Sequence, residues 1–286
     1  MRLTRTLFAA FSVLALTFPL SAFAGSTMNT IKVKKTIALG YRDASIPFSY
    51  IGNDRKPRGY SVELCTKVAK SIQEQLRLDR LDIKWVLVEP ANRMEKLKKG
   101  GIDLECGSTT ATLSRMREVD FSLTTFVDGG SYMSRAEGKI NTLADLRGKK
   151  TGVASGTTTE KNLKHAIASK QFDSELIMVK DHDDGLRLLA AGKIDAYASD
   201  RGLLIGLMLG SGNQAAWKLG DELFSFEPYA LMMRRDDPEF RLAVNREIVR
   251  IYSSREIFEI FDRWFGVIAK PSELFNNMVL LNSLPE

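Results

Sequence analysis

Leu143-Ala144-Asp145-Leu146-Arg147-Gly148-Lys149-Lys150-Thr151-Gly152-Val153-Ala154-Ser155-Gly156-Thr157-Thr158-Thr159 is the stretch on which the fold turns. Its polar Arg-Gly-Lys-Lys turn leads into a short strand pattern at residues 151–155, and the Gly-Thr-Thr-Thr run after it opens a helix. The same strand-then-helix order has already run once. It begins with a strand pattern at residues 36–40 and a helix from Tyr60 that carries Val62, Cys65, Ala69, Ile72 and Leu76 on one face. An alternating strand at 83–88 follows, then a short helix around Met94 and Leu97 stopped by Gly100-Gly101, and a strand at 102–106. The stretch at 143–159 is therefore a second start. It continues through strand patterns at 176–179 and 194–199, with a helix capped by Gly192 between them and another from Arg201. Strands that alternate with helices predict an α/β fold with mainly parallel sheets. One more strand pattern at 229–233 precedes amphipathic helices bearing Phe240, Val244, Ile248, Ile251, Phe258, Phe261 and Trp264.

The N-terminus predicts export. Arg2 and Arg5 precede an apolar run at 7–18 and an Ala22-Phe23-Ala24 cleavage site, the pattern of a signal peptide over residues 1–24. That run is shorter than the ~20 residues of a bilayer span. The expected product is a soluble periplasmic monomer beginning near Gly25, and its roughly 260 residues suit two units of ~100–150 each. Without Arg2 and Arg5 the net charge falls from +6 to about +4. The basic residues are scattered among acidic ones, which argues against nucleic-acid binding and fits a general attraction for anions. With two histidines, no CxxC and no HExxH, neither a metal site nor a cofactor is expected. Cys65 lies on the helix face that should cover the strand ending at Cys106, so a disulfide between them is expected; two buried thiols are the alternative.

Polar residues follow the strands at six places, where α/β sheets present ligands to loops and helix N-termini. These are Gly40-Tyr41-Arg42-Asp43, Glu89-Pro90-Ala91-Asn92-Arg93, Glu105-Cys106-Gly107-Ser108-Thr109-Thr110 with Arg115, Ala154-Ser155-Gly156-Thr157-Thr158-Thr159, Asp181-His182-Asp183 and Ser199-Asp200. Taken singly, each has a plainer reading. The Ser and Thr runs and Asp200 are ordinary helix caps, Arg42 and Arg93 are ordinary surface arginines, and His182 is one residue in a polar run.

Together with Ile46-Pro47-Phe48-Ser49-Tyr50, Gly59-Tyr60-Ser61, Asp120-Phe121-Ser122, Lys180-Asp181-His182 and Trp264-Phe265, these segments resemble the periplasmic glutamate/aspartate-binding proteins of ABC transporters. Those belong to the type II solute-binding superfamily, among its family 3-like amino-acid binders. The Glu-Cys-Gly-Ser-Thr-Thr run and the Asp-His pair are the most specific parts of the likeness.

The resemblance implies a two-lobed, Venus-flytrap fold of the periplasmic-binding-protein-like II class with two interlobe crossings, near residues 126–131 and 227–231. Lobe 1 would comprise 25–127 and 232–286, and lobe 2 residues 128–231. It also implies a membrane permease as partner and no catalytic residue. Arg115 would clamp the ligand α-carboxylate with Ser108, Thr157 and Thr158. Asp200, with Ser108 or Thr110, would accept the α-ammonium. Arg42, Arg93 and His182 would surround a side-chain carboxylate. Charge supports this independently, because a zwitterion needs only one cation and one anion, and two further buried arginines call for a second carboxylate. One departure is Pro90, where those relatives place a hydroxyl; it leaves glutamate, aspartate and amide preference open. Rival expectations are a cyclohexadienyl dehydratase-like enzyme of the same fold using Glu105 or Asp183 as acid, a binder of another amino acid, and a sensor module, ordinarily part of a longer membrane-anchored chain.

Overall fold

The computed structural model describes residues 26–267 and 269–285, and the signal segment expected at 1–24 lies outside them. Helix α1 (Thr27–Lys34) leads into strand β1 (Thr36–Tyr41). Three short strands, β2 (Ala44–Ser45), β3 (Ser49–Ile51) and β4 (Pro57–Arg58), form a small antiparallel sheet. Then come α2 (Tyr60–Gln75), β5 (Asp82–Leu87), α3 (Arg93–Lys98), β6 (Leu104–Glu105) and the long β7 (Val119–Asp128). The second unit contains β8 (Gly130–Arg135), β9 (Lys150–Ala154), α4 (Thr158–Ser169), β10 (Glu175–Val179), α5 (His182–Ala190), β11 (Ala196–Asp200), α6 (Arg201–Gly210) and β12 (Trp217–Leu219). The chain ends through β13 (Glu227–Arg234), α7 (Pro238–Ser253), α8 (Glu256–Phe265) and α9 (Glu273–Asn282).

Two five-stranded sheets result, ordered β5-β1-β6-β13-β7 and β10-β9-β11-β8-β12. In each, four strands run in one direction, three of them side by side as their helical crossovers require, and one runs against them: β13 in the first sheet and β8 in the second. The antiparallel members are those next to the crossings. Only Gly129 separates β7 of the first sheet from β8 of the second. The return comes before Glu227, because all of β13 pairs in the first sheet, against β7 and β6. Residues 227–231, expected in lobe 2, are thus sheet residues of lobe 1: their backbone groups bond to β7, starting with Glu227 opposite Asp128.

The terminal helices return to the first unit. Phe240, Val244, Ile248, Ile251, Ile260 and Phe261 are buried in one core with Ile37, Leu39 and the inner face of α2. At its centre Phe48 meets Phe126, Tyr229 and Phe265 with ring centroids 4.9, 5.1 and 5.3 Å away, edge-on contacts that add to burial. Cys65 of α2 is disulfide-bonded to Cys106 beyond β6, tying this helix to the sheet it covers. In the second unit neighbouring residues alternate between two cores. Tyr132 and Val153 join Leu163 of α4, whereas Met133 and Ala154 join Leu189 of α5 and Leu204 of α6. That period of two is a sheet covered by helices on both faces. Among the described residues no helix is long and apolar enough to cross a membrane.

Candidate functional site

The C-terminal ends of the parallel strands in both sheets face one another, and the polar loops meet there. Arg42 leaves the end of β1, with its backbone N–H donating to Ser49 Oγ at 2.9 Å. Arg93 opens α3, Ser108 follows β6, Thr157 caps α4 by accepting from the Glu160 N–H, and His182 opens α5 above its cap Asp181. Asp200 ends β11. Arg42, Arg93, Ser108, Thr157, Thr158, His182 and Asp200 line one small cavity, together with Thr159, Ser199 and Leu203. Thr110 and Arg115 line an adjoining, wider cleft, and Thr157 and Thr158 border both spaces.

Arg42 is 1% exposed and Arg93 3%. Nε and Nη2 of Arg42 and Nε of Arg93 are buried without a partner. Burial, and then the neighbouring charge of Arg93, lower the Arg42 guanidinium to about 10, so it remains charged at neutral pH. A buried charged donor without an acceptor costs at least 1–3 kcal/mol, roughly, which makes this pair receptive to an anion. His182 is different in kind. Burial and the two arginines push its imidazole down to about 3, so it is neutral and contributes hydrogen bonding, not charge. Its Nδ1 lies 2.8 Å from Tyr197 Oη.

The charge arithmetic of the arginines needs a correction. Glu105, expected only as a candidate acid, is fully buried with Oε1 3.9 Å from Arg93 Nη1. Its Oε2 accepts from Thr109 Oγ1 at 2.6 Å. It is a counter-ion to the arginines. Asp183, the other candidate acid, sits at the start of α5 and is not among the cavity residues.

Asp200 accepts from Thr159 Oγ1 at 2.8 Å and from the Tyr229 hydroxyl. Burial first, then Glu227 and Asp128, raise its carboxyl to about 8. Arg115 donates to Thr110 O at 2.7 Å and, across the cleft, to Gly156 O at 3.2 Å. Burial and the charge of Arg93 lower it to about 10. Glu227 went unmarked as a site residue in the sequence. It is fully buried and accepts from Thr110 and Thr158, both at 2.6 Å, and from Asn162 and Ser225. Thus one carboxylate at the return crossing binds hydroxyls from both lobes. Its position beside an expected crossing was the only signal available.

The lobes are in contact around the cavity. Thr110 Oγ1 is 3.1 Å from Thr158 Oγ1, and Lys180 Nζ is 3.2 Å from Glu89 Oε1. Gly156, at φ 77°, lies against Pro90 and Ala91, where a Cβ would come within 3.0 Å of Ala91 Cα. Pro90 therefore contributes its backbone to lobe contact. Among the described residues no cluster of His, Cys, Asp and Glu is arranged to hold a metal. The cavity lining thus combines two buried arginines with hydroxyls, a histidine and one carboxyl group, Asp200.

Comparison with known proteins bears on this geometry. The chain is 37% identical over 259 residues to the L-glutamate/L-aspartate-binding protein of Pseudomonas aeruginosa, covering 90% of this chain and 86% of that one. It is 33% identical over 261 residues to the glutamate/aspartate import solute-binding protein of Escherichia coli K12, covering 91% and 86%. Among solved structures, the L-cysteine solute receptor of Neisseria gonorrhoeae matches with a TM-score of 0.77 at 23% identity, over 86% of this chain and 98% of that chain. A Streptococcus pneumoniae ABC uptake transporter substrate-binding protein with bound histidine matches with 0.77 at 20%, over 85% and 97%. At such identities these two matches speak to the fold, a two-lobed periplasmic-binding-protein type II architecture. With the model of "Bacterial extracellular solute-binding proteins, family 3" matching residues 37–267, the chain belongs to that family of solute-binding proteins.

Proposed function

We propose that this protein is the amino-acid-binding component of an ABC transporter, exported through the segment at residues 1–24, and that it captures L-glutamate or L-aspartate between its lobes. The observation that carries the acidic reading is the buried Arg42–Arg93 pair, whose guanidinium nitrogens Nε and Nη2 of Arg42 and Nε of Arg93 have no partner in the interlobe cavity. A side-chain carboxylate would complete them, in the planar pairing that suits arginine. His182, neutral, would add one hydrogen bond. Asp200 would take the α-ammonium, and Arg115 with Ser108, Thr110, Thr157 and Thr158 the α-carboxylate and its surroundings. The two relatives above, both named as glutamate/aspartate-binding proteins, support the same ligand class. Release to a membrane permease would follow recognition of the closed form.

A thermal-shift comparison of glutamate, aspartate and glutamine on the exported protein tests this. A ligand at a hundred times its Kd adds about 2.7 kcal/mol, a rise in Tm on the order of 5–10 °C for a chain of this size. Glutamate and aspartate should give it and glutamine much less. Arg93→Ala should shrink the gap between glutamate and glutamine, whereas Arg115→Ala should weaken both. A larger shift with glutamine or a basic amino acid would overturn the acidic assignment.

A further inference from the structure

Glu105 stands where an acidic-ligand site has least use for it: a third charge, of the ligand's own sign, packed beside the arginines. We propose that Glu105 determines the ligand charge the cavity accepts, by neutralising one of the two buried arginines; this rests on the reading of Arg42 and Arg93 as the side-chain subsite. Three observations place it there. Its carboxylate is fully buried, with Oε1 3.9 Å from Arg93 Nη1 and no hydrogen-bond partner of its own. Its other oxygen is linked to the same guanidinium through Thr109, whose hydroxyl accepts from Arg93 Nη1 at 2.5 Å and donates to Oε2 at 2.6 Å. And the chain reserves room for it. A Cβ at Gly107 would fall 2.3 Å from Oε1 and 3.1 Å from Arg42 Cγ, so glycine is what lets the carboxylate tuck in beside Arg42 as well.

The consequence is a charge balance. Arg42 and Arg93 supply two positive charges, Glu105 one negative, and His182, held neutral, none. The subsite therefore carries one net positive charge, and a single carboxylate neutralises it. A carboxamide leaves that charge buried and uncompensated. Without Glu105 the surplus would be two charges, and the penalty for a neutral side chain would grow. Glu105 thus moderates the preference that the arginines create, and it keeps the ligand-free cavity from holding two unopposed guanidinium groups.

The test is the ratio of dissociation constants for glutamine and glutamate, measured by calorimetry on the exported protein and three variants. Glu105→Gln keeps the shape and the Thr109 contact but removes the charge, and should widen the ratio by on the order of tenfold, the size of a Coulomb interaction across several ångströms in a screened interior. Arg93→Gln should narrow it. The double variant Glu105→Gln/Arg93→Gln restores one net positive charge and should bring the ratio back toward the original. It also preserves the test if Glu105→Gln alone does not fold. A merely structural role would weaken both ligands in parallel and leave the ratio unmoved. An unchanged or narrower ratio in Glu105→Gln, or a double variant no different from Arg93→Gln, would overturn the proposal. Failure of the acidic-ligand reading is separately visible, as a lack of glutamate preference in the unaltered protein.

Discussion

Asp200 has both carboxylate oxygens hydrogen-bonded inside the lobe contact, yet it is the group proposed to meet an ammonium. Its carboxyl, raised from 3.8 to about 8 by burial and by Glu227 and Asp128, keeps its proton in the folded protein at pH values where the unfolded chain has lost it. The folded state then binds more protons than the unfolded one, so this group's contribution is complete below about pH 4 and is lost as pH rises toward 8. An ammonium favours the ionised form, so binding expels the proton. Melting curves between pH 5 and 8 should therefore show the ligand-induced rise in Tm growing with pH, and Asp200→Asn should flatten that dependence. A ligand effect independent of pH in the unaltered protein would count against Asp200 as the ammonium partner. His182, pushed down to about 3, does not titrate in this window. At this scale the sequence was informative where chemistry follows a strand: Arg42, Arg93, Ser108, Thr157, Thr158, His182 and Asp200 come together. Glu105 and Glu227 were harder to read because an acidic residue in a strand or crossing has the same one-letter pattern whether it faces water or an arginine. The glycine two residues after Glu105 was the one local hint.

Elements were legible in proportion to their periodicity. Helix α2 begins at Tyr60 as its apolar spacing predicts, with Cys65, Ala69 and Ile72 buried and Leu76 at the margin. The strands β7 and β8 were not foreseen. Val119, Phe121 and Leu123 alternate, but the alternation breaks at Thr124-Thr125, where the pairing with β13 also shifts register. A pattern that loses its period inside the element gives no clean signal. The mainly parallel sheets that were expected carry one reversed strand each, the expected β13 and the unforeseen β8. The disulfide belongs to this scale too, since it joins α2 to the strand end beneath it across 41 residues. Chain-entropy reasoning puts the upper value of such a loop near roughly 4 kcal/mol. Thiol labelling of the denatured, unreduced protein should find no free cysteine, and Cys65→Ser/Cys106→Ser should lower stability by up to that amount. Labelling of both cysteines would show the bond absent.

At the scale of the molecule, the proposed ligand capture and lobe contact would be one event, because Arg42 and Arg93 come from one lobe and Thr157, His182 and Asp200 from the other. The Lys180–Glu89 pair joins the lobes through side chains outside the cavity. Glu89→Lys should place like charges together only when the lobes meet, weakening ligand binding at low salt and recovering as salt screens the repulsion. An affinity that is unaffected at every ionic strength would mean that these residues are apart in the bound state.

The two crossings lie side by side, with Asp128 opposite Glu227 and only Gly129 before β8. Topologically, then, the second lobe is an insertion at the tip of a β-hairpin made by β7 and β13. It is one continuous run of chain, whereas the first lobe is completed only by its C-terminal strand and helices. The same geometry means that a two-residue Asn-Gly turn joining Asp128 to Glu227 would close the hairpin, leaving a single-lobed protein with half a binding site and nothing to shut against.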